Sequence, residues 1–443
     1  MREVPTAPPS TSNVLPSTEM VSSSAPLVIP KFLSPLPRLT TTQKSLLQHF
    51  MSSASSITSC HSQIQEETCR GIVPMALKIP SLFSAIMALS QIHKDSYNTT
   101  SPASEDGNRR IQQLSTSSMQ SLRQELQSVE TATTESTLAT ILTLCMCDIH
   151  TGGNKSQSWR VHFDGARALL TAMGHPKNFK DAPRGSTRKF LERWYISIEA
   201  LAALTAKGLP TGQLRSGEML SDASEDVYLD DYFGFSTDLI SVFREIGAAA
   251  WERRRMSSQP SEGRQLSEAD FEEEINLLER LIKDMISRDD ASPPRFYPGV
   301  AAILSEQQMQ EFALGNKAYQ HTALIHLYRR VRQLPASSVQ VQDSVKTIIE
   351  CTSAIKPSSG LSPCIVLTTP LFTAGCEAIG PDRAIVADLL SRLYRSVRVK
   401  NIQQALDYLQ LHWKKANEFE SKGWVFPQGM GHRELLTATN ANM

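Results

Sequence analysis

No polar face can be drawn on the stretch from Leu138 to Ile149, and this constrains the fold more than any other feature of the chain. Leu138, Ile141, Leu142, Cys145 and Ile149 recur at helical spacing, while Leu144 and Met146 carry apolar character round the rest of the circumference. A helix of this kind belongs inside a core, because any surface position would leave an apolar flank in water. The turn Thr151-Gly152-Gly153-Asn154 ends it with residues that tolerate positive φ. A second helix then runs to Gly174, with Trp159, His162, Phe163, Ala166, Leu169 and Leu170 in register and Gly165 predicting a close approach between the two. The unit reads as the central hairpin of a large helical domain and carries no recognisable chemistry.

The flanking chain supplies partners for such a hairpin. Residues 1–40 are Ser, Thr and Pro with scattered apolar positions, and Pro at that density removes backbone donors and blocks helix; the segment is expected to be disordered. Leu46, Leu47, Phe50 and Met51 begin the first amphipathic helix, with Thr40 to Thr42 as capping candidates. Two prolines cut the next apolar stretch, and Ser81 is placed to cap a helix carrying Leu82, Phe83, Ile86, Met87, Leu89 and Ile92. Residues 98–108 read as a polar loop and 111–129 as a helix. Beyond the hairpin, helices are expected over 190–207, 239–251, 306–333, 339–355, 382–397 and 402–417. Another, carrying Phe271, Ile275, Leu278 and Ile282, is opened by a Ser267/Asp270 capping box. No run shows a convincing period of two. The fold class is therefore all-α, a multi-helix array of ten or more helices over 41–420, with 421–443 a partly ordered tail.

At 443 residues the chain can hold two or three average domains or one large helical array. Formal net charge is zero, which argues against a whole-protein electrostatic grip on nucleic acid or anionic lipid. Seven cysteines, at 60, 69, 145, 147, 351, 364 and 376, form no C-x-x-C and sit partly in apolar runs, as reduced thiols of an intracellular protein do. No signal peptide is visible, and no apolar run approaches the roughly 18 residues that span a bilayer. A soluble, intracellular protein is expected.

A search for catalytic constellations finds no phosphate-binding, dinucleotide-binding, nucleophile-elbow or zinc-protease motif. His321 and His326 lie five apart on one helix, rotated away from a shared ligand face. Cys145 and Cys147 point about 200° apart and cannot chelate one ion together. His162 and Asp164 beside Trp159 are better explained as capping or buried polar groups. The acidic run SEDVYLDDY, ending at Tyr232, reads as a solvated loop with an acidic interaction segment as its alternative. Arg253, Arg254 and Arg255 suit a helix C-terminus. Arg329, Arg330 and Arg332, and Arg392, Arg395, Arg398 and Lys400, read as solvated faces with a partner surface as their alternative. No catalytic, cofactor-binding, metal or DNA-binding residue is assigned, no cofactor is expected, and an enzyme is not the expected function.

The segment LATILTLCMCDIHTGGNKSQSWRVHFDGARALL resembles the signature of the fungal-specific transcription factor domain, the helical regulatory region of fungal zinc-cluster regulators. VPMALKIPSLFSAIMALSQIHKD is similar to its opening helices and DDYFGFSTDLISVFREIGAAA to its mid-domain segment. KAYQHTALIHLYRRVRQLP resembles its long helix, and TTPLFTAGCEAIGPDRAIV with NIQQALDYLQLHWKKAN its closing helices; together these span about residues 43–420. Members of that family normally begin with a six-cysteine zinc cluster that reads DNA. Here no cysteine precedes Cys60, no basic run lies near the N-terminus, and 1–40 is too rich in proline for a dimerisation heptad. Either a first exon is missing or the protein is a zinc-less variant.

The resemblance implies a nuclear transcription regulator acting through its regulatory domain alone. It would control a metabolic or secondary-metabolite gene set through an effector, partners in the transcription machinery, or a DNA-binding regulator. A homodimer is compatible with this reading, direct DNA binding is unsupported, and no membrane is involved. The competing expectation is a helical scaffold that binds a small hydrophobic ligand and has no DNA role.

Overall fold

The 3.6-residue apolar period is realised as fifteen α-helices in a computed structural model that describes residues 39–97, 105–151, 158–174, 186–205, 227–258, 268–292, 295–356 and 361–421. The first group comprises α1 (Thr41–Ser52), α2 (Ser62–Ala76), α3 (Pro80–Ser96), α4 (Glu105–Glu125), the single turn α5 (Val129–Ala132), α6 (Glu135–Thr151), α7 (Ser158–Met173) and α8 (Thr187–Ala203). The second comprises α9 (Leu239–Ser258), α10 (Glu268–Ala291), α11 (Glu306–His326), α12 (Val339–Ala354), α13 (Thr368–Glu377), α14 (Asp382–Val397) and α15 (Lys400–Ser421). The all-α class is thus observed. The N-terminal 38 residues, the hairpin turn at 152–157, Ser267 and the tail from 422 lie outside the described residues.

The helix without a polar face is central, as its sequence requires. Every residue of α6 from Thr137 to Cys145 is buried, and the helix packs against α3, α7 and α8. Its buried threonines satisfy themselves by back-bonding: Thr140 Oγ1 donates to the Ser136 carbonyl at 2.8 Å and Thr143 Oγ1 to that of Ala139 at 2.7 Å. On α7, Trp159, Phe163, Ala166, Leu169 and Leu170 are buried. Gly165 does not mark the close approach expected of it, since a Cβ there would meet Ile141 at an ordinary 3.9 Å. The tight crossing is between α8 and α9, where a Cβ on Gly247 would lie 2.5 Å from the Ala203 carbonyl oxygen.

Several boundaries differ from the sequence expectation for local reasons. Pro74 sits in the last turn of α2 without ending it, and Pro80 opens α3, where its missing N–H has no partner to lose. Ser81 caps nothing: it is buried within α3 and its Oγ donates to Glu125 Oε2 at 2.7 Å. Helix α4 begins at Glu105, inside the expected loop, with Glu105 and Asp106 in its first turn where the dipole favours acids. The stretch 306–333 is α11 followed by a π-helical turn at Leu327–Val331, and the chain leaves it through Gln333 at φ 56°. Extended structure is limited, among the described residues, to Tyr228–Leu229 paired in parallel with Arg295–Phe296 and an isolated antiparallel bridge between Leu229 and Ser236.

The second group is organised around α11, which packs on α10, α12 and α13. A capping box opens it: Ser305 Oγ accepts from Gln308 N–H at 3.2 Å while Gln308 Oε1 accepts from Ser305 N–H at 3.0 Å. Midway along, Asn316 and Gln320 both donate to Asp289 Oδ2 on α10, at 2.8 and 2.6 Å. Asn316 Oδ1 also accepts the Ser236 N–H at 2.8 Å, tying α11 to the segment that follows Tyr228.

Candidate functional site

The described part of the acidic run, from Val227 to Tyr232, is not a solvated loop. Asp230 and Asp231 are 1% and 0% exposed, and they hold together segments far apart in the chain. Asp230 Oδ1 accepts from the Tyr232 and Phe233 N–H groups at 2.7 and 3.3 Å, closing a tight turn that continues through Gly234 at φ 76°. Arg193 of α8 donates to both Asp230 oxygens and, through Nη2, to Asp231 at 3.0 Å. His61, at the start of α2, donates from Nε2 to Asp231 Oδ2 at 2.8 Å. Burial works against the Arg193 charge, but Asp230 and Asp231 outweigh it and hold the guanidinium pKa above its ordinary value. The signal for burial was present in the sequence, because the two acids are embedded in Tyr228, Leu229, Tyr232, Phe233 and Phe235.

Beside that turn the two groups of helices line an apolar, partly open cavity of about 180 Å³. One face of α8 forms a long wall through Trp194, Ser197, Ile198, Leu201 and Ala202. Met146, Ile149 and His150 from the end of α6, with Trp159 from the start of α7, form a second. Tyr232 and Phe233 of the acidic turn, Tyr319 of α11, Ile365 and Val366, and Asn401 and Ile402 of α15 also line it. Among the described residues, no Asp, Glu, Lys or Arg lines it.

The polar groups in this wall divide into two kinds. Ser197 Oγ donates to the Trp194 carbonyl at 2.8 Å, Thr205 Oγ1 accepts from Arg160 at 2.6 Å, and Tyr319 donates to the Val366 carbonyl at 2.5 Å. Both ring nitrogens of His150, the indole N–H of Trp159 and Oδ1 of Asn401 are buried with no protein partner. Burial, reinforced by His93, pushes the His150 pKa down to about 3, so its ring is neutral. His93 itself receives His49 at 3.1 Å, ring nitrogen to ring nitrogen.

The residues singled out in the sequence lie elsewhere or serve packing. Cys145 Sγ donates to the Trp159 carbonyl at 3.6 Å and Cys147 Sγ to that of Ala85 at 3.7 Å, and burial raises both thiols above their ordinary pKa. Neither is an activated nucleophile. His162 approaches Asp148 at 3.4 Å while Asp164 pairs with Arg167 at 2.8 Å, so the three residues around Trp159 form no common site. His326 meets Thr373 at 3.4 Å; burial holds His321 down to about 4. Among the described residues no group of three or more His, Cys, Asp or Glu side chains is placed to hold a metal ion. No described helix is long and apolar enough to cross a membrane.

The basic cluster at 329–332 is a correction too, since its side chains face inward. Arg329 pairs with buried Glu377 at 2.7 Å and Arg332 with Glu279 at 2.7 Å. Arg330 donates to the carbonyls of Leu204 and Thr205 at 2.5 and 2.8 Å, placing a cation on the C-terminus of α8. Arg253 likewise pairs with Glu268 at 2.7 Å and with Glu272. In contrast, the Arg392–Asp388 pair stays on the surface.

Residues 45–432 match the fungal specific transcription factor domain, and the chain belongs to that family. Membership makes it a transcription regulator in general terms, from a regulatory, non-enzymatic family with a nuclear role. No curated protein and no solved structure matches the chain.

Proposed function

We propose that the helical body is the effector-responsive part of a nuclear regulator that controls a metabolic or secondary-metabolite gene set. The observation that carries this reading is the apolar cavity, which is lined by helices from both halves of the fold. An occupant there contacts α6, α8, α11 and α15 at once, so it biases how those helices pack and what surface they present to partner proteins. Those partners are the transcription machinery, a DNA-binding regulator, or a second copy of the chain. The inward-facing arginines at 329–332 support protein contacts over a nucleic-acid grip by this body.

Chromatin immunoprecipitation of the tagged protein, with identification of copurifying partners, tests the proposal. Enrichment at promoters of one gene set is the expected result. Cytosolic location without chromatin signal would overturn it and leave the second reading, which the same cavity favours: a small-molecule-binding scaffold with no DNA role.

A further inference from the structure

Where the end of α3 meets the turn between α14 and α15, the fold gathers cations and gives them no counter-charge. Lys94 Nζ reaches only Ser45 Oγ, at 3.5 Å, and Arg395 Nε donates back to the Ser391 carbonyl at 3.3 Å. Arg398 stands over two rings, 6.0 Å from that of Tyr97 and 5.8 Å from that of Tyr394, and Tyr97 is 50% exposed. Lys400 follows, also exposed. Among the described residues, Lys94, Arg395, Arg398 and Lys400 pair with no carboxylate. The acids of the neighbouring helices are engaged elsewhere: Asp95 accepts from Gln91 at 2.7 Å, Asp388 pairs with Arg392, and Asp407 accepts from Gln403 at 2.8 Å. Helix α1 contains no acid. Two of these cations sit where local structure disfavours them. Arg398 closes α14 at φ 57°, the left-handed region in which glycine is at ease and an L side chain is strained. Lys400 is the first residue of α15, a cation on the positive end of the helix dipole. Local stability accounts for neither residue, which points to a contact made outside the fold.

We propose that this surface docks an acidic segment of a partner protein that also carries apolar or aromatic side chains. Carboxylates of the segment accept from Arg398 and Lys400, with Lys94 and Arg395 adding to the attraction, and an apolar side chain covers the exposed ring of Tyr97. A nucleic-acid duplex fits the patch less well. A salt-resistant grip on a duplex takes roughly six to ten phosphate contacts, and here a few cations are grouped around a tyrosine. The proposal rests on the reading that this body works through protein contacts, and it supplies the chemistry of one such partner.

Fluorescence anisotropy of the purified full chain at about 0.15 M salt tests this with the labelled peptide Asp-Glu-Phe-Asp-Asp-Leu-Glu-Asp. It should bind with a Kd of about 100 µM, and its amide counterpart Asn-Gln-Phe-Asn-Asn-Leu-Gln-Asn at least about 10-fold more weakly. Replacing Phe and Leu of the acidic peptide by Gly should weaken it about 3-fold through the lost cover on Tyr97. Arg398→Gly combined with Lys400→Glu should weaken the acidic peptide about 10-fold. The thermal midpoint of that double variant should hold or rise, since glycine relaxes the left-handed residue and an acid suits the start of α15. Equal affinity for the amide peptide, unchanged affinity of the double variant, or a fall in its midpoint would each overturn the proposal. Tighter binding of a labelled DNA duplex, lost in the same double variant, would overturn it in favour of nucleic acid. None of these readouts involves chromatin, so their failure leaves the regulator reading standing, and a negative chromatin experiment leaves the peptide affinity untouched.

Discussion

Arg193 and Asp230 lie 37 residues apart in the chain and meet through two hydrogen bonds, Nη2 to Oδ1 at 2.7 Å and Nε to Oδ2 at 3.2 Å. The same guanidinium reaches Asp231 and stands over the rings of Tyr232 and Tyr297, so one side chain fixes the turn beside the cavity. Arg193→Met should therefore destabilise the protein by about 3–5 kcal/mol, because it leaves two buried carboxylates without their cation. Arg193→Lys should recover only part of this, since a point charge cannot reproduce the paired geometry. Urea unfolding of both variants measures the difference.

Two glycines should respond in opposite directions to the same substitution. Gly247→Ala places a Cβ 2.5 Å from a backbone oxygen of α8, and forcing those helices apart should cost about 1–3 kcal/mol. Gly165→Ala meets only Ile141 at 3.9 Å and gains helix propensity, so a stabilisation of about 0.5–1 kcal/mol is expected. Chemical denaturation that ranked Gly165→Ala as the more damaging would contradict the packing described.

Acid should destabilise the protein through His93 and His150. Burial, then His49, lowers His93 to about 4, against a backbone interaction with Val397 that raises it; burial, then His93, lowers His150 to about 3. Lys94 lowers the pKa of neighbouring His49, and Arg398 and Lys400 line a small cavity together with His93 and His150. Both folded values lie below the unfolded value, so the unfolded chain binds protons first and stability rises with pH through this window. The contribution is fully present above about pH 6.5 and is lost as pH falls toward the folded values. Between pH 6.5 and 5 each ring should remove about 2 kcal/mol. Urea midpoints across that range should flatten in His150→Phe.

Arg330 tests a tie between the two halves of the fold. Its side chain comes from the π-helical turn after α11 and ends on the last carbonyls of α8. Arg330→Met should expose those carbonyls to exchange-competent opening, with a loss of about 1–3 kcal/mol localised there. Hydrogen exchange should show faster amides in the last turn of α8 while α3 and α6 keep their protection.

The helices themselves were legible because their cause is local. Periodicity places Leu138, Leu142 and Cys145 inside whatever their partners are, and the bounds expected for Asp382–Val397 are those observed. The family resemblance drew on the same order of helical segments. What charged residues do was not legible. Asp230, Asp231, Arg329 and Arg330 read as solvated by composition, and their burial depends on counter-charges or carbonyls 37 to 126 residues away. The cavity is less local still, since its wall is assembled from Ile57 to Ile402 and each contributor looks like an ordinary core residue in its own helix. A helical period determines which face turns inward. Only the packing of those faces in three dimensions decides where they fail to meet, and hence where a cavity opens between α6, α8, α11 and α15.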